Sequence, residues 1–559
     1  MCSRNDMVKG SALPAARTSR GGLWAAGLIY ACATALFFSP CLKGLGTFLI
    51  GPPEDNMRNL WDLWWAHSVF LGHAGSLSFT RYLFFPEGST LLYHSLSFYN
   101  LFISLCSSFL HNPVLVYNLL ILHTFVLAGL GAYCLIRHLT GDHLASLCGG
   151  FVFAFNPSHV ERALHHYEIA SIQFIPLFVL FFLKAMKEPW GKSTALAALF
   201  FLLSASSTWY YFIFTIYCML FFYAYAAWKE RRFILTGVIV KCAVIIGVTL
   251  VVFSPWLIQM VALGVRSARE VVKPGHDFFV ADLCAFFVPH PAHALGQIKE
   301  IAAIFQTFTS NDWEKTAYLG IVNILLIAVA FKGIVRKTRL YFAGLVCFLI
   351  LAMGAGVHVM GKRLPIPLPY AILAHIPFLS NARCPSRAIV FAYLFLAILV
   401  AYSLAYVRSR APSAQRRRLL TLVIIALVGA DYASLCKEQT KVYLPACYAA
   451  IKKEEVPFGI LDMPSGGWEN SARYMMYQTY HGFPIVGGAL ARKPAPSLID
   501  FLVLDNLALQ KEQLKANQVR YIVVHKELYG TVEPQDLWVY RQVYTSVYAD
   551  PESEVLKVY

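Results

Sequence analysis

The sequence predicts an all-α polytopic membrane protein of about 11 transmembrane helices, N-terminus in and C-terminus out, with a small C-terminal extracytoplasmic α/β domain. Three observations predict it. Of 559 residues, 58% are hydrophobic and only 14% charged, where soluble domains carry about 25% charged residues. Apolar runs of 15 to 25 residues recur along the chain, close to the roughly 20 that cross ~30 Å of hydrocarbon as a helix. Lastly, the net charge of +16 sits in six short stretches between those runs: 1–22, 137–143, 184–192, 229–232, 332–339 and 408–418. These hold 20 basic and four acidic residues, leaving 27 of each sign everywhere else. Basic charge in alternate loops is the positive-inside pattern and places those loops in the cytoplasm. The excess is topological, which speaks against a nucleic-acid partner.

Taken in order, Arg4, Lys9, Arg17 and Arg20 precede an apolar run at 23–38. It resembles a signal peptide, but further spans follow, so an uncleaved first helix is expected. An outer loop then runs over 41–96. The segment 97–111 is apolar but short, and it ends at Asn112 and Pro113. If it crossed, Arg137 and every later basic stretch would face outward, so an interfacial helix is expected. Spans follow at 114–136, 143–156, 171–186, 193–208, 211–228, 234–257, 317–331, 340–357, 388–407 and 419–435, and Lys241 is a rare charge among them. From 436 to 559 the apolar runs shorten to strand length, at Phe458–Leu461, Phe483–Val486 and Tyr521–Val524, with a helix over Leu502–Asn517. Thirteen cysteines are scattered without metal-like spacing and read as small packing residues; a Cys436–Cys447 pairing at the start of the tail is the less favoured option.

Four places could carry chemistry. In Gly51–Trp65, GPPEDNMRNLWDLWW, two prolines hold off the helix and Asp55 or Asn56 can cap it. Asp55, Asn59 and Asp62 then share one face, with Trp61, Trp64 and Trp65 on the other side. Arg58 and Asp62, four apart, can pair, while Asp55 has no evident partner on the helix. By spacing alone, a cap plus a solvated acid explains Glu54 and Asp55 slightly better than catalysis does. The loop NPSHVERALHHYEIAS, 156–171, gathers Arg162, His165, His166 and Glu168. It has no H-E-x-x-H pattern, and substrate contact competes with a polar cavity lining. The stretch IPFLSNARCPSR places Arg383 and Arg387 on the outer side, where a lipid-linked phosphate suits a guanidinium and snorkelling to headgroups is the plain alternative. The loop 258–316 holds Arg266, Arg269, Lys273, His276, Asp277, Asp282 and Glu314, none singled out by spacing.

As a whole the pattern resembles the GT-C class of membrane glycosyltransferases, which includes oligosaccharyltransferases, protein O-mannosyltransferases and lipid-A aminoarabinose transferases. The resemblance rests on one span, then a large outer loop opening on an acidic pair, then a span ending in CLIRHLTGD. More narrowly, the chain is similar to a group of bacterial membrane proteins of this class through WDLWWAH, LFFPEG, GLGAYCLIRHLTG, FAFNPSH, EKTAYLG, CPSR, ILDMP, MMYQTYHGFPIVGG and VRYIVVH. These motifs run through nearly the whole length, although the acidic pair is Glu-Asp and not Asp-Asp. The resemblance implies sugar transfer from a polyprenyl-phosphate donor to a lipid, glycan or protein acceptor at the outer face of the bacterial cytoplasmic membrane. It implies Asp55 as the general base, with Glu54 beside it. Arg58, Arg383 and Arg387, with Arg162 behind them, would offset the phosphate charge, and His165, His166 and Glu168 would line the substrate site. Members of the class differ in needing a divalent metal such as Mg or Mn, and no ligand set is visible here. Two other readings are an O-antigen-type polymerase or ligase, and a transporter or assembly protein for lipid-linked glycans. The early acidic loop, the absence of a repeat and the long tail favour the transferase.

Overall fold

In the computed structural model the described residues are 20–231, 236–266, 275–376, 382–434, 437–452, 457–490, 496–529 and 537–559. Arg4, Lys9, Arg17, Arg269, Lys273 and Cys436 fall outside them, as does the side chain of Arg266.

The apolar runs fold as helices whose ends carry their own stop signals. Pro113–Thr140 opens with Pro113 at its first position and the Asn112 side chain accepting from the Leu115 amide at 2.9 Å; it closes on Gly141 at φ +69°. Five described helices are long and apolar enough to cross a membrane: Arg20–Phe37, Pro113–Thr140, Tyr167–Ala185, Trp209–Glu230 and Pro385–Arg410. Thr236–Val252 and Ser254–Gly264, bent by 77°, make a sixth if the pair is one span, and His143–Ala154 and Lys192–Ser207 are shorter apolar helices. The chain is a multi-pass membrane protein. The segment expected to lie at the interface forms a helix over Phe98–Cys106 of only nine residues, a rise of about 14 Å, short of a span.

At the centre lies Ile389–Arg410, buried on every side from Ile389 to Ala401. Helical hydrogen bonding runs unbroken through Ile321–Ala352, yet the segment reverses beside that central helix. Tyr393 donates to the Tyr318 carbonyl at 2.8 Å, Gly333 meets Tyr406, Tyr341 stacks on Tyr402, and Phe348 stacks on Phe391. A straight helix would set residues 318 and 348 about 45 Å apart. The turn falls in the basic stretch 332–339, where the sequence pattern separates two spans.

The tail carries a four-stranded sheet in the order Gly459–Met463, Val519–His525, Ser553–Lys557, Thr545–Ala549, the first pair parallel and the others antiparallel. Where a strand is expected at 483–486 there is a single bridge, Ile460 to Ile485. The helix expected from Leu502 starts at Leu507, because the Asn506 side chain caps it by accepting from the Leu509 amide at 3.1 Å.

This tail is fastened to the first loop. Phe48–Ile50 pairs antiparallel with Gln439–Lys441, and helix Trp468–His481 packs along Asp55–Phe70. Trp61 and Trp65 stack with centroids 5.5 Å apart at 4°. Both are buried, and Trp61 Nε1 donates to Gln478 Oε1 at 2.6 Å. Trp61 and Trp65, set across the helix from Asp55 by spacing, are thus packed in protein. An indole reads alike in sequence whether its neighbour is a headgroup or a protein helix.

Candidate active site

The first-loop helix starts at a close approach of two backbone segments. Gly51 has φ +106°, and a Cβ there would stand 1.9 Å from the Leu164 carbonyl oxygen, so only glycine lets this turn lie against helix Pro157–His165. Pro52 and Pro53 follow, and the helix runs from Asp55. Neither capping expectation holds. Glu54 occupies the cap position without a side-chain cap bond, and Asn56 Oδ1 instead accepts from the Glu54 amide at 3.3 Å. Asn56 Nδ2 reaches Thr440 Oγ1 at 3.2 Å, and that hydroxyl donates to the Gly51 carbonyl at 2.8 Å. The tail thus fixes the turn that presents the acids.

Asp55 is 7% exposed and has three partners. Arg58 Nη1 stands 3.1 Å from Oδ1. Trp468 Nε1, at the start of the tail helix, donates to the same oxygen at 3.0 Å. His166 Nε2 lies 3.4 Å from Oδ2. Burial pushes the Asp55 carboxyl up, but Arg58 above all, then His166, the Trp468 hydrogen bond and His165, hold it below the usual carboxylate range. The expected Arg58–Asp62 pairing gives way to this one. Arg58 turns back one helical turn to Asp55 and donates to Asn59 Oδ1 at 2.9 Å, while Asp62 takes His94 Nε2 at 2.8 Å. Spacings of three and four are equally reachable on a helix, so sequence leaves that choice open.

Around this centre the structure gathers most of the expected residues. His165 Nδ1 is 3.6 Å from Glu54 Oε2, and His166 Nδ1 is 3.5 Å from Glu168 Oε1. Trp313 stacks on His165 at 4.2 Å and meets His166 edge-on. Beyond it, Glu314 binds both Arg387, at 2.7 Å through Nε and Nη2, and Arg162 Nη2 at 3.2 Å. Burial raises Glu314, but Arg387 and Arg162 bring it down to about 2. Arg387 is therefore committed to a carboxylate, whereas Arg383 lies over the Phe279 ring at 5.2 Å with no carboxylate pair among the described residues. On the other flank Glu161 Oε1 faces His290 Nδ1 at 3.3 Å. Burial, with Glu438 and Asp312, lifts Glu161 to about 8, and burial lowers His290 to about 4. The pair meets as neutral acid and neutral imidazole.

Sequence reasoning missed Trp468, Glu161, His290 and Trp313, and named Glu314 without distinguishing it. Glu314 lies in the EKTAYLG stretch, the one local signal available; Trp468 is 413 positions from Asp55. The fold class implies a divalent ion in some members. Among the described residues no three His, Cys, Asp or Glu side chains are arranged to hold one. The cation beside Asp55 is the Arg58 guanidinium.

Solved structures share this architecture. Arabinofuranosyltransferase AftD from Mycobacteria aligns with a TM-score of 0.59 at 12% identity, over 97% of this chain and 40% of that one. Archaeal oligosaccharyltransferase AglB from Archaeoglobus fulgidus, solved with an inhibitory peptide and a dolichol-phosphate, aligns at 0.50 and 12% over 91% of this chain and 70% of its own. ArnT from Cupriavidus metallidurans, bound to undecaprenyl phosphate, gives 0.47 and 11% over 97% and 99%. The fold is that of the GT-C class of membrane glycosyltransferases. Residues 63–432 match the model of a family described as Domain of unknown function (DUF6311), and the chain belongs to that family. No curated protein matches by sequence.

Proposed function

We propose that the protein is a GT-C-type glycosyltransferase that moves a sugar from a polyprenyl-phosphate donor to an acceptor hydroxyl at the outer face of a bacterial cytoplasmic membrane. The observation that carries the reading is Asp55: a buried carboxylate kept ionised by Arg58 and His166, at the head of a loop helix locked in place by the tail. An ionised carboxylate accepts the acceptor hydroxyl, orients its oxygen toward the anomeric carbon and takes its proton as the new C–O bond forms. The bond from that carbon to the phosphate oxygen breaks, and the lipid phosphate leaves. Arg58, whose Nε has no hydrogen-bond partner among the described residues, and Arg383 offset its charge. The Arg162–Glu314–Arg387 trio carries two positive charges against one negative and adds a net positive field. Glu54, 39% exposed at its side chain, stands at the solvent side of the site, with His165, His166 and Glu168 as its lining.

Two further features support the placement. An apolar groove of about 580 Å³ lined by Phe98, Phe102, Leu203, Phe253 and Trp256 opens at the 77° bend. The helix Phe98–Cys106 that lines it also carries Asn100, which donates to the carbonyl of Tyr167, next to His166, at 3.4 Å, and its apolar lining suits a prenyl chain. The basic turn 332–339, together with Arg408 bound to Asp142 at 2.6 Å, lies at the end of the bundle opposite the site. That arrangement supports the eleven-span, N-in reading with the site and tail outside. The test is Asp55→Asn in a strain lacking the native copy, comparing surface glycans and lipid-linked sugar by mass spectrometry. Loss of the glycan with accumulated donor is expected; normal glycans at wild-type protein levels overturn the base assignment.

A further inference from the structure

Asp55 faces three donors, and they differ in how easily they can leave. Arg58 is 2% exposed and also holds Asn59. His166 is 8% exposed and wedged between Asp55, Glu168 and Trp313. Trp468 is 42% exposed, yet its Nε1 sits on Asp55 Oδ1 at 3.0 Å. It follows Gly466 and Gly467, both with left-handed φ (+100° and +76°), and a Cβ at Gly466 would meet nothing within 4 Å. The donor nearest solvent therefore also follows a glycine pair with room around its first member. Its N–H fills a lone-pair position on Oδ1, the one of the three occupied positions that can open from the solvent side.

Resting on the Asp55 reading above, we propose that Trp468 is the specificity-determining residue that reserves Asp55 for the acceptor and against water. Exchanging an indole N–H for an acceptor O–H trades one hydrogen bond to a carboxylate for another, at small net cost. An acceptor brings binding energy from the rest of its structure to drive that exchange. Water brings none, so the indole keeps its place until an acceptor arrives. Without the N–H, water binds Asp55. Its oxygen attacks the anomeric carbon, its proton passes to Asp55, the bond to the phosphate oxygen breaks, and free sugar and polyprenyl phosphate result.

The test reads that side reaction directly. Full-length protein is reconstituted in liposomes made from the lipid extract of the deletion strain, which holds accumulated donor, and released free sugar is counted by mass spectrometry. Trp468→Phe keeps the ring and removes the N–H. It is expected to release free sugar roughly tenfold faster than wild type, with an unchanged thermal unfolding temperature, and Trp468→Phe combined with Asp55→Asn is expected to release none. If Asp55→Asn abolishes glycan transfer in cells while Trp468→Phe releases no more sugar than wild type, this inference falls and the base reading stands. If Asp55→Asn transfers normally, both fall.

Discussion

Two buried carboxylates stand at the same end of the molecule, and they are bound in opposite ways. Glu314 takes hydrogen bonds from Ser386 at 2.5 Å, Arg387 at 2.7 Å and Arg162 at 3.2 Å, with its side chain 1% exposed. Every partner is itself buried or held. Asp55 has contacts of 3.0 to 3.4 Å, and one partner, Trp468, is half exposed. A carboxylate whose donors are short and fixed holds a fold together. One whose donors are longer, and include a group open to solvent, is the more loosely held of the two.

Breaking each member should give different failures. The largest effect is expected from Glu314→Gln, which leaves two arginines facing each other without their carboxylate; loss of about 3–5 kcal/mol should appear as a steep drop in thermal unfolding temperature and in recovered protein. Asp55→Asn should differ: transfer falls by roughly 10²–10⁴-fold, with a smaller drop in unfolding temperature, because Asp62 and Glu168 still act on Arg58. The Glu161–His290 pair adds a pH signature. Glu161 is raised from its ordinary 4.5 to about 8 in the folded protein, so across that window the unfolded chain loses the proton and the folded one keeps it. His290, lowered from 6.5 to about 4, gives the opposite slope, so the pair should change stability little between pH 4.5 and 6.5 and lower it from 6.5 to about 8, where it levels off. Glu161→Gln should flatten that slope in pH-dependent unfolding scans. The smallest effect is expected from Thr440→Val, which removes the hydroxyl joining Gly51 and Asn56 at about 1 kcal/mol. Its readout is a modest drop in unfolding temperature with reduced transfer.

The sequence carries this comparison only in part. The acidic pair was legible because its neighbours are a double proline and the end of the first apolar run, both local signals. The reversal at 332–339 was legible because four basic residues interrupt an apolar stretch. The pairing of Arg58 was not, since helix geometry offers Asp55 and Asp62 alike and only the position of His94 decides between them. Nor was Trp468, whose approach depends on the tail sheet and the packing of two helices far apart in the chain. The buried Trp61–Trp65 stack shows the same limit. Composition marks a tryptophan as half apolar and leaves its neighbour unnamed.

The three-residue ladder between Phe48–Ile50 and Gln439–Lys441 sets a condition on biogenesis. Its partners are 389 positions apart where Thr440 meets Gly51, and at ribosomal rates of ~5–20 residues per second that separation is a delay of roughly 20–80 s. During that interval the first loop has been made, with Asp55 in it, but neither the Thr440 clasp nor Trp468 exists. A nascent chain thus carries its acid before it carries the tail contacts that fix it, which come with the last quarter of the polypeptide.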